Sequence, residues 1–163
     1  TKTGSFFKDS FTFVTPGYSV RPLEMSGAIG SVQLKKWPTL LQARIDNMKY
    51  FKELFQDVSW LKMQEEKHGE STWFSFGCVL QGALKGKRDK VIQAFEEGGV
   101  EARPLASGNF LNQPEVRNMP HYTHGNYEGA QDIDDNGFWV GNHSTDCKAG
   151  IFKMFTILKG LAE

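Results

Sequence analysis

Residues 73–80 have the sequence WFSFGCVL, which is the most strand-like segment of the chain. Its aromatic and branched side chains suit a strand that is covered on both faces. A helix is predicted to begin at Lys87 or Arg88 and to end at Glu97, where two glycines follow as they do after many helices. A second strand is predicted over residues 100–105. A strand, a helix and a strand in this order predict a split βαβ unit of a small α+β domain.

Two helices are predicted before this unit. The first runs from Pro22 to about Lys36 and has a face rich in glycine, alanine and serine, which lets another backbone approach closely. Pro38 is expected to kink or interrupt this helix after Trp37. Beyond Pro38, large apolar side chains return at helical spacing and charged ones fill the other positions. This pattern predicts a long amphipathic helix whose apolar side carries Leu41, Ile45, Met48 and Phe55.

The remaining segments complete the predicted fold. Residues 58–63 and 137–141 are predicted strands, and residues 106–136 are predicted to form a long ordered loop, because they are rich in Gly, Asn, Pro and His and lack a period. Ser144 to Asp146 offer an N-cap for a last amphipathic helix, which carries Ile151, Phe155, Leu158 and Ala162. The predicted class is α/β, with a small, mainly antiparallel sheet and helices packed on it.

The composition argues against several classes of partner. Lys plus Arg number 19, and so do Asp plus Glu, so the formal net charge is zero and neither nucleic acid nor an anionic membrane is an expected partner. No apolar run approaches the ~20 residues that span a bilayer, and no signal peptide is visible. Cys78 and Cys147 lie far apart without a paired spacing, which favours a reducing compartment, the cytoplasm. The chain starts without methionine and is expected to be a fragment.

Two segments carry donor atoms that could suit a metal. Residues 132–137 match the first half of a calcium loop, but His143 stands where that loop needs a glutamate, so a turn capped by Asp and Asn side chains is preferred. His121 and His124 could form a zinc site with His143, but they lie in a predicted loop, and structural histidines are commoner. No metal site is therefore predicted. The G-x-S-x-G, P-loop and G-x-G-x-x-G motifs are absent from the sequence.

Two polar segments could bind an anion. Residues 17–21 form a glycine turn that brings Arg21 to the start of a helix, where backbone N–H groups are free, and the alternative is an ordinary helix cap. Arg103 ends a strand and opens into a loop with Ser107, Asn109 and Gln113, which suits a phosphate or a polyhydroxylated ligand. The alternative for Arg103 is an ion pair with an acidic neighbour.

The first of these segments resembles a known family. The pattern Gly17-Tyr18-x-x-Arg21-x-x-Glu24, with Ala28-Ile29-Gly30 and Gln33-Leu34, resembles the end of the large domain in the DegT/StrS family of nucleotide-sugar aminotransferases, which depend on pyridoxal 5'-phosphate (PLP). The later elements follow the order of that family's C-terminal small domain. The resemblance implies a fold-type-I PLP-dependent transferase. Residues 1–36 would end its large PLP-binding domain, and residues 37–163 would form its small domain.

Further residues are similar to one offshoot of the family, the sugar 3-dehydratases. They are Gly108-Asn109, Gln113-Pro114, His124-Gly125 and Phe138-Trp139-Val140-Gly141. The resemblance implies a homodimeric enzyme that uses PLP to transaminate or 3-deoxygenate a nucleotide-linked keto-deoxy sugar. It also implies that the Schiff-base lysine, or the histidine that replaces it in the dehydratases, belongs to a half that this chain lacks. No catalytic residue is therefore assigned, and the chain alone is expected to be inactive.

Five residues are predicted to bind cofactor or substrate. Ser19 stands where the family usually has an asparagine that contacts the partner subunit's cofactor, and Arg21 keeps its family identity. Arg103, Asn109 and His143 are predicted to contact the substrate, although a structural role is the alternative for His143. The alternative for the whole chain is a non-catalytic α+β module that binds a ligand or mediates dimerisation.

Overall fold

The computed structural model describes residues 22–105, 108–113, 116 and 118–163. The predicted turn with Ser19 and Arg21 lies outside these described residues. The chain divides into two compact units, with the boundary between Lys36 and Trp37. Among the described helices, none combines the length and the hydropathy that crossing a bilayer requires.

Helix α1 (Glu24–Phe55) is continuous, and Pro38 lies inside it. The predicted interruption at this proline is therefore wrong. Proline removes one backbone N–H and crowds the preceding turn, at a cost of about 3 kcal/mol. Good helix formers flank it on both sides, however, and they keep the helix intact. The side chains before Pro38 are exposed, whereas the second half of the helix buries Asn47, Phe51 and Phe55.

Four strands form one antiparallel sheet in the order β1-β2-β4-β3. They are β1 (Leu61–Met63), β2 (Ser75–Leu80), β3 (Ala102–Arg103) and β4 (Gly137–Gly141). Since β2 and β3 both pair antiparallel with β4, they run parallel to each other with β4 between them. Helix α2 (Arg88–Gly98) connects them along the chain, which gives the predicted split βαβ unit. The predicted fold class is confirmed.

The core lies on one face of the sheet. Strand β2 buries alternate residues, Phe76, Cys78 and Leu80, and the ring of Phe51 from α1 stacks on Phe76 with a centroid distance of 4.3 Å. Burying each large apolar side chain contributes roughly 1.5–3 kcal/mol. Burial also raises the pKa of the Cys78 thiol, which keeps it protonated. Helices α2 and α4 (Lys148–Ala162) complete the core with Val91, Phe95, Ile151, Met154 and Leu158.

Helix α3 (Glu128–Asn136) occupies the end of the predicted loop. The Asp-capped turn predicted at residues 132–137 is therefore wrong. Asn136 is buried, and its Nδ2 donates to Asp132 Oδ1 one helical turn earlier, at 3.0 Å. Its Oδ1 accepts the backbone N–H of Gly86 at 2.7 Å. This helix depends on polar pairs and on a tertiary contact, and neither produces a hydrophobic period in the sequence.

Candidate functional site

Arg103 and Trp139 lie opposite each other on β3 and β4, on the sheet face away from the core. The guanidinium carbon Cζ of Arg103 lies 5.5 Å from the centroid of the Trp139 ring. Its Nε and Nη2 donate to Glu101 Oε1 at 3.1 and 2.8 Å. Arg103 thus forms the ion pair with an acidic neighbour that was the alternative to a ligand site. Both charged side chains are mostly exposed, so this ion pair contributes at most about 1 kcal/mol and leaves the guanidinium accessible.

Two more side chains extend this contact into a row. The ring centroids of Phe74 and Trp139 are 6.2 Å apart, and Arg44 Cζ lies 5.3 Å from the centroid of Phe74. We call Arg44, Phe74, Trp139 and Arg103 the arginine–aromatic row. Each cation over a ring contributes about 0.5–1 kcal/mol at an exposed site. The row places two flat rings between two permanent positive charges, which suits a planar anion.

A cavity of about 660 Å³ adjoins the row. Phe74, Trp139 and Arg103 line it from the sheet, and Cys147 and Lys153 line it from the start of α4. Small-molecule sites in proteins typically enclose about 300–1,000 Å³. The cavity is therefore large enough for a small organic ligand, and the charged residues of its lining are Arg103, Lys153 and Glu101, which leave one net positive charge.

The position of Phe74 depends on a strained neighbour. Trp73 is buried and has a φ of 49°, in the left-handed region, which costs a residue with a Cβ roughly 1–2 kcal/mol. Its N–H donates to Ser71 Oγ at 3.1 Å, and its carbonyl accepts from Asn142 Nδ2 at 2.8 Å. These hydrogen bonds hold the strained backbone. As a result Trp73 is buried while the next residue, Phe74, is 66% exposed.

Glu66 anchors the loop that leads to Trp73. Its Oε2 accepts from Lys52 Nζ at 2.8 Å, and its Oε1 accepts the backbone N–H of Ser71 at 2.9 Å. The hydrogen bond from Lys52, followed by that from Ser71, lowers the pKa of Glu66 below its ordinary value. Lys52 Nζ also lies 4.6 Å from the centroid of the Trp73 ring. One carboxylate thus connects α1 to the loop before β2.

Of the three predicted substrate residues, Arg103 lines the cavity, and Asn109 and His143 do not. Asn109 is buried, and its Nδ2 donates to Gln131 Oε1 at 3.0 Å, so its amide ties the loop to α3. His143 is exposed, and its Nδ1 lies 3.3 Å from Thr145 Oγ1. Among the described residues, the three are thus not assembled into one site, and substrate contacts by Asn109 and His143 stay predictions.

Three residues of the row were missed as site residues from sequence. Phe74 and Trp139 were predicted only as strand residues, and Arg44 only as a charged residue of the amphipathic helix. The alternation of buried Phe138 with Trp139 could have placed Trp139 on the open face of the sheet. No comparable signal marks Arg44, because its contact with Phe74 depends on the tertiary fold.

Within the described ranges, no group of three or more His, Cys, Asp or Glu side chains is placed to hold a metal ion. His121 Nδ1 lies 2.8 Å from the carbonyl oxygen of Met119. Asp132 Oδ1 is engaged by Asn136 and, at 3.1 Å, by Lys85 Nζ. These side chains therefore have structural partners in the described part of the chain.

The small antiparallel sheet with helices packed on it has the fold of the C-terminal region of fold-type-I PLP-dependent transferases. The solved structure of Escherichia coli GDP-4-keto-6-deoxy-D-mannose-3-dehydratase with bound hydrated PLP matches it with a TM-score of 0.83 and 40% identity, over 96% of this chain and 40% of that one. The structure of Helicobacter pylori PseC, an aminotransferase, matches with a TM-score of 0.73 at 15% identity over 90% and 39% of the two chains, which shows the shared fold alone.

The chain belongs to the DegT/DnrJ/EryC1/StrS aminotransferase family, whose family model matches residues 2–153. It is 45% identical to GDP-4-keto-6-deoxy-D-mannose 3-dehydratase of Yersinia pseudotuberculosis over 154 residues, and this aligned region covers 94% of this chain and 39% of the relative. The Escherichia coli dehydratase is 41% identical over 159 residues, which cover 97% and 41% of the two chains. The family predicted from sequence is thus confirmed, and the chain spans about two fifths of the length of these relatives.

Proposed function

We propose that this chain is the C-terminal part of a PLP-dependent enzyme that removes the 3-hydroxyl group of a GDP-linked 4-keto-6-deoxy sugar. The observation that carries this proposal is the identity of 41–45% to two GDP-4-keto-6-deoxy-D-mannose 3-dehydratases. Solved aminotransferases with the same fold match at 15–21% identity. Deoxygenation is therefore favoured over transamination, the other reaction expected from sequence.

The two compact units support an assignment of domains. Residues 1–36 would form the end of a large PLP-binding domain, and residues 37–163 would form a small domain. The boundary between the units lies between Lys36 and Trp37. The buried apolar residues of the described chain all follow this boundary, so the second unit has its own core.

PLP is the proposed cofactor, and it would supply an electron sink for the reaction. Ser19 and Arg21 are proposed to contact its phosphate and the mouth of its site in a partner subunit. Lys153 lines the cavity, but its Nζ donates to the carbonyl oxygen of Gly98 at 3.0 Å. This amino group is tied to the backbone, so it is not proposed to attach the cofactor. The Schiff-base lysine or its histidine replacement is proposed to lie in another part of the intact protein.

The arginine–aromatic row is proposed to bind the nucleotide. Phe74 and Trp139 offer rings on which a purine base can stack, and the Arg103 guanidinium offers paired donors that match phosphate oxygens. Two hydrogen bonds to Glu101 already orient that guanidinium, so it loses less freedom on binding. In this proposal the described residues bind, orient and shield the substrate, while the bond-breaking step depends on groups elsewhere in the intact protein.

The intact protein is proposed to be a homodimer in the cytoplasm. In the family that the sequence resembles, the turn that corresponds to residues 17–21 reaches the partner's cofactor, so each site needs two subunits. Cys78 and Cys147 are both free, as expected in a reducing compartment. Sedimentation of the intact protein measures its subunit number, and a stable monomer with full activity would contradict the shared site.

The coding region upstream of Thr1 is the first test of this function. An in-frame large domain with the family's histidine supports a dehydratase, a lysine at that position supports a transaminase, and an authentic start near Thr1 supports the non-catalytic module. The intact protein with PLP and an amino-acid donor should then convert the GDP-linked 4-keto-6-deoxy sugar to a 3-deoxy product, the C3 hydroxyl group leaving as water and the oxidation of the donor to its keto acid and ammonia supplying the two electrons. Mass spectrometry detects the product as loss of the 3-hydroxyl group. An aminated product would contradict the proposed reaction.

A further inference from the structure

Two buried asparagines from distant parts of the chain are hydrogen-bonded to each other. Asn47 lies on α1 and is 1% exposed, and Asn142 follows β4 and is 2% exposed. Asn47 Nδ2 donates to Asn142 Oδ1 at 3.0 Å. We call these two residues the asparagine pair. Buried amides in a largely aromatic core are costly unless their hydrogen bonds are made, so the partners of this pair indicate what it holds in place.

Asn142 holds the segment that carries Phe74. Its Nδ2 donates to the carbonyl oxygens of Trp73 at 2.8 Å and of Arg44 at 3.1 Å. Its backbone N–H donates to the carbonyl oxygen of Phe74 at 3.1 Å. Together with Ser71, this asparagine therefore holds the strained backbone of Trp73, and its backbone N–H fixes the carbonyl group of Phe74.

Asn47 holds the segment that carries Cys147. Its Nδ2 donates to the carbonyl oxygens of Thr145 at 2.7 Å and of His143 at 3.1 Å. Its Oδ1 accepts the backbone N–H of Cys147 at 3.0 Å. The Cys147 side chain makes no cap of its own at the start of α4. A residue 100 positions earlier in the chain thus supplies one hydrogen bond at this helix start.

Phe74 and Cys147 both line the cavity beside Arg103, and they belong to different segments. We propose that Asn47 and Asn142 are positioning residues that hold these two walls of the cavity at the separation at which it accepts the nucleotide. The identity of that ligand rests on the function proposed above, whereas the geometry of the walls does not. Neither asparagine is required to touch the ligand.

The test uses Asn47→Ala, Asn142→Ala and the matched control Asn136→Ala in the 163-residue chain. Asn136 is also buried and hydrogen-bonded, but it does not line the cavity. The first readout is the rate of alkylation of Cys147, because Cys78 is buried and its raised pKa keeps it unreactive. Loss of the hydrogen bond to the Cys147 backbone in Asn47→Ala is expected to raise this rate by about tenfold. The control is expected to keep the wild-type rate.

The second readout is a titration with GDP, followed by NMR through the indole N–H of Trp139, which lines the cavity. Both pair variants are expected to bind GDP about tenfold more weakly than the wild type, and Asn136→Ala is expected to bind it normally. Unfolding by urea, measured in parallel, identifies variants that have lost comparable stability. If a variant with alanine does not fold, serine at the same position takes its place, because its shorter side chain fills part of the space but cannot reach all the partners of the asparagine.

Two outcomes would overturn the proposal. One is an equal change in alkylation and in GDP binding for all three variants, which would show that any loss of a buried asparagine has the same effect. The other is a wild-type alkylation rate in Asn47→Ala. If the wild-type chain does not bind GDP, the proposed nucleotide surface is wrong, and the alkylation rates alone decide whether the pair positions the cavity wall.

Discussion

At the scale of single residues, Arg103 has neighbours that orient it without covering it. Glu101 accepts two of its hydrogen bonds, and the Trp139 ring lies 5.5 Å from its guanidinium carbon. Arg103→Ala is expected to weaken GDP binding by about tenfold or more, because hydrogen bonds to a charged group contribute about 1.5–3 kcal/mol. The free energy of unfolding is expected to change by no more than about 1 kcal/mol. NMR titration with GDP and urea unfolding measure the two effects.

The control for this prediction is Arg88→Ala. The guanidinium of Arg88 donates to the carbonyl oxygen of Asp134, and this arginine does not line the cavity. Removing it lowers the charge of the chain by the same amount. Equal weakening of GDP binding by both substitutions would show a general effect of charge and would contradict a specific role of Arg103.

Glu66 gives the stability of the chain a pH dependence of defined sign. Folding lowers the pKa of Glu66, chiefly through the hydrogen bond from Lys52, so the ionised form is favoured in the folded state. The resulting stabilisation is present above the unfolded pKa of Glu66 and is lost as the pH falls through its lower folded pKa. The melting temperature of Glu66→Gln is expected to be lower than that of the wild type at neutral pH and close to it in strong acid. Melting curves at a series of pH values measure this. A difference in melting temperature between the variant and the wild type that stays constant with pH would rule out this linkage.

At the scale of elements, strong periodic patterns made most of the fold predictable. Strand β4 has the predicted bounds, and α2 ends one residue after the predicted Glu97. Helix α3 was missed because polar pairs and a hydrogen bond from Gly86 stabilise it, and a sequence pattern does not reveal such contacts. The place of Arg103 at the end of a strand could be predicted because a strand ending in arginine is visible in the sequence, whereas its contact with the substrate stays a prediction. The row around it could not be predicted, because its members meet only in the folded chain.

The loop between β3 and α3 offers a matched pair of glycines. Gly108 has a φ of +60°, and a Cβ there would lie 2.9 Å from Asp134 Cα. Gly125 has a φ of +79°, but no atom lies within 4 Å of the position of its Cβ. Gly125→Ala is therefore expected to cost only the left-handed backbone term, roughly 1–2 kcal/mol. Gly108→Ala should cost roughly 1–3 kcal/mol more, because Asp134 must move. Equal midpoints in urea would contradict the close approach of Asp134.

At the scale of the whole molecule, a substitution in the exposed first half of α1 is expected to affect assembly without lowering the stability of the fold. No atom lies within 4 Å of a Cβ built at Gly27. Gly27→Leu should therefore leave the 163-residue chain as stable as the wild type or more stable by up to about 1 kcal/mol, since glycine is a poor helix former. In the intact protein the same substitution is expected to impair association, because this small-residue face is predicted to pack closely against another backbone. Sedimentation measures the effect.

Gly160→Leu is the control for that experiment. Gly160 lies on α4 and likewise has no atom within 4 Å of the position of its Cβ. It lies outside the small-residue face of α1, so its substitution is expected to leave association unchanged. If Gly27→Leu assembles as well as the wild type, the prediction that this face of α1 packs against another backbone is wrong.

The activity of the chain alone can also be predicted. With PLP, an amino-acid donor as the source of electrons and the GDP-linked keto sugar, the 163-residue chain is expected to give no turnover, because the catalytic lysine or histidine is proposed to lie elsewhere. It is also expected to show no stoichiometric visible absorbance from covalently bound PLP. Absorption spectra of the chain after removal of free cofactor measure this directly, and one bound chromophore per chain would contradict the prediction.

The position of β4 has a consequence for the synthesis of the protein. Among the four described strands β4 comes last in the chain, yet it lies between β2 and β3 and pairs with both. While the chain emerges from the ribosome, those two strands lack their common partner until Gly141 is free, and α4 emerges later still. The side of α2 that packs against Phe138 of β4 and against α4 stays uncovered during that interval. The nascent chain therefore cannot complete this sheet before Gly141 has emerged, and the exposure of this part to aggregation and proteolysis is concentrated before that point.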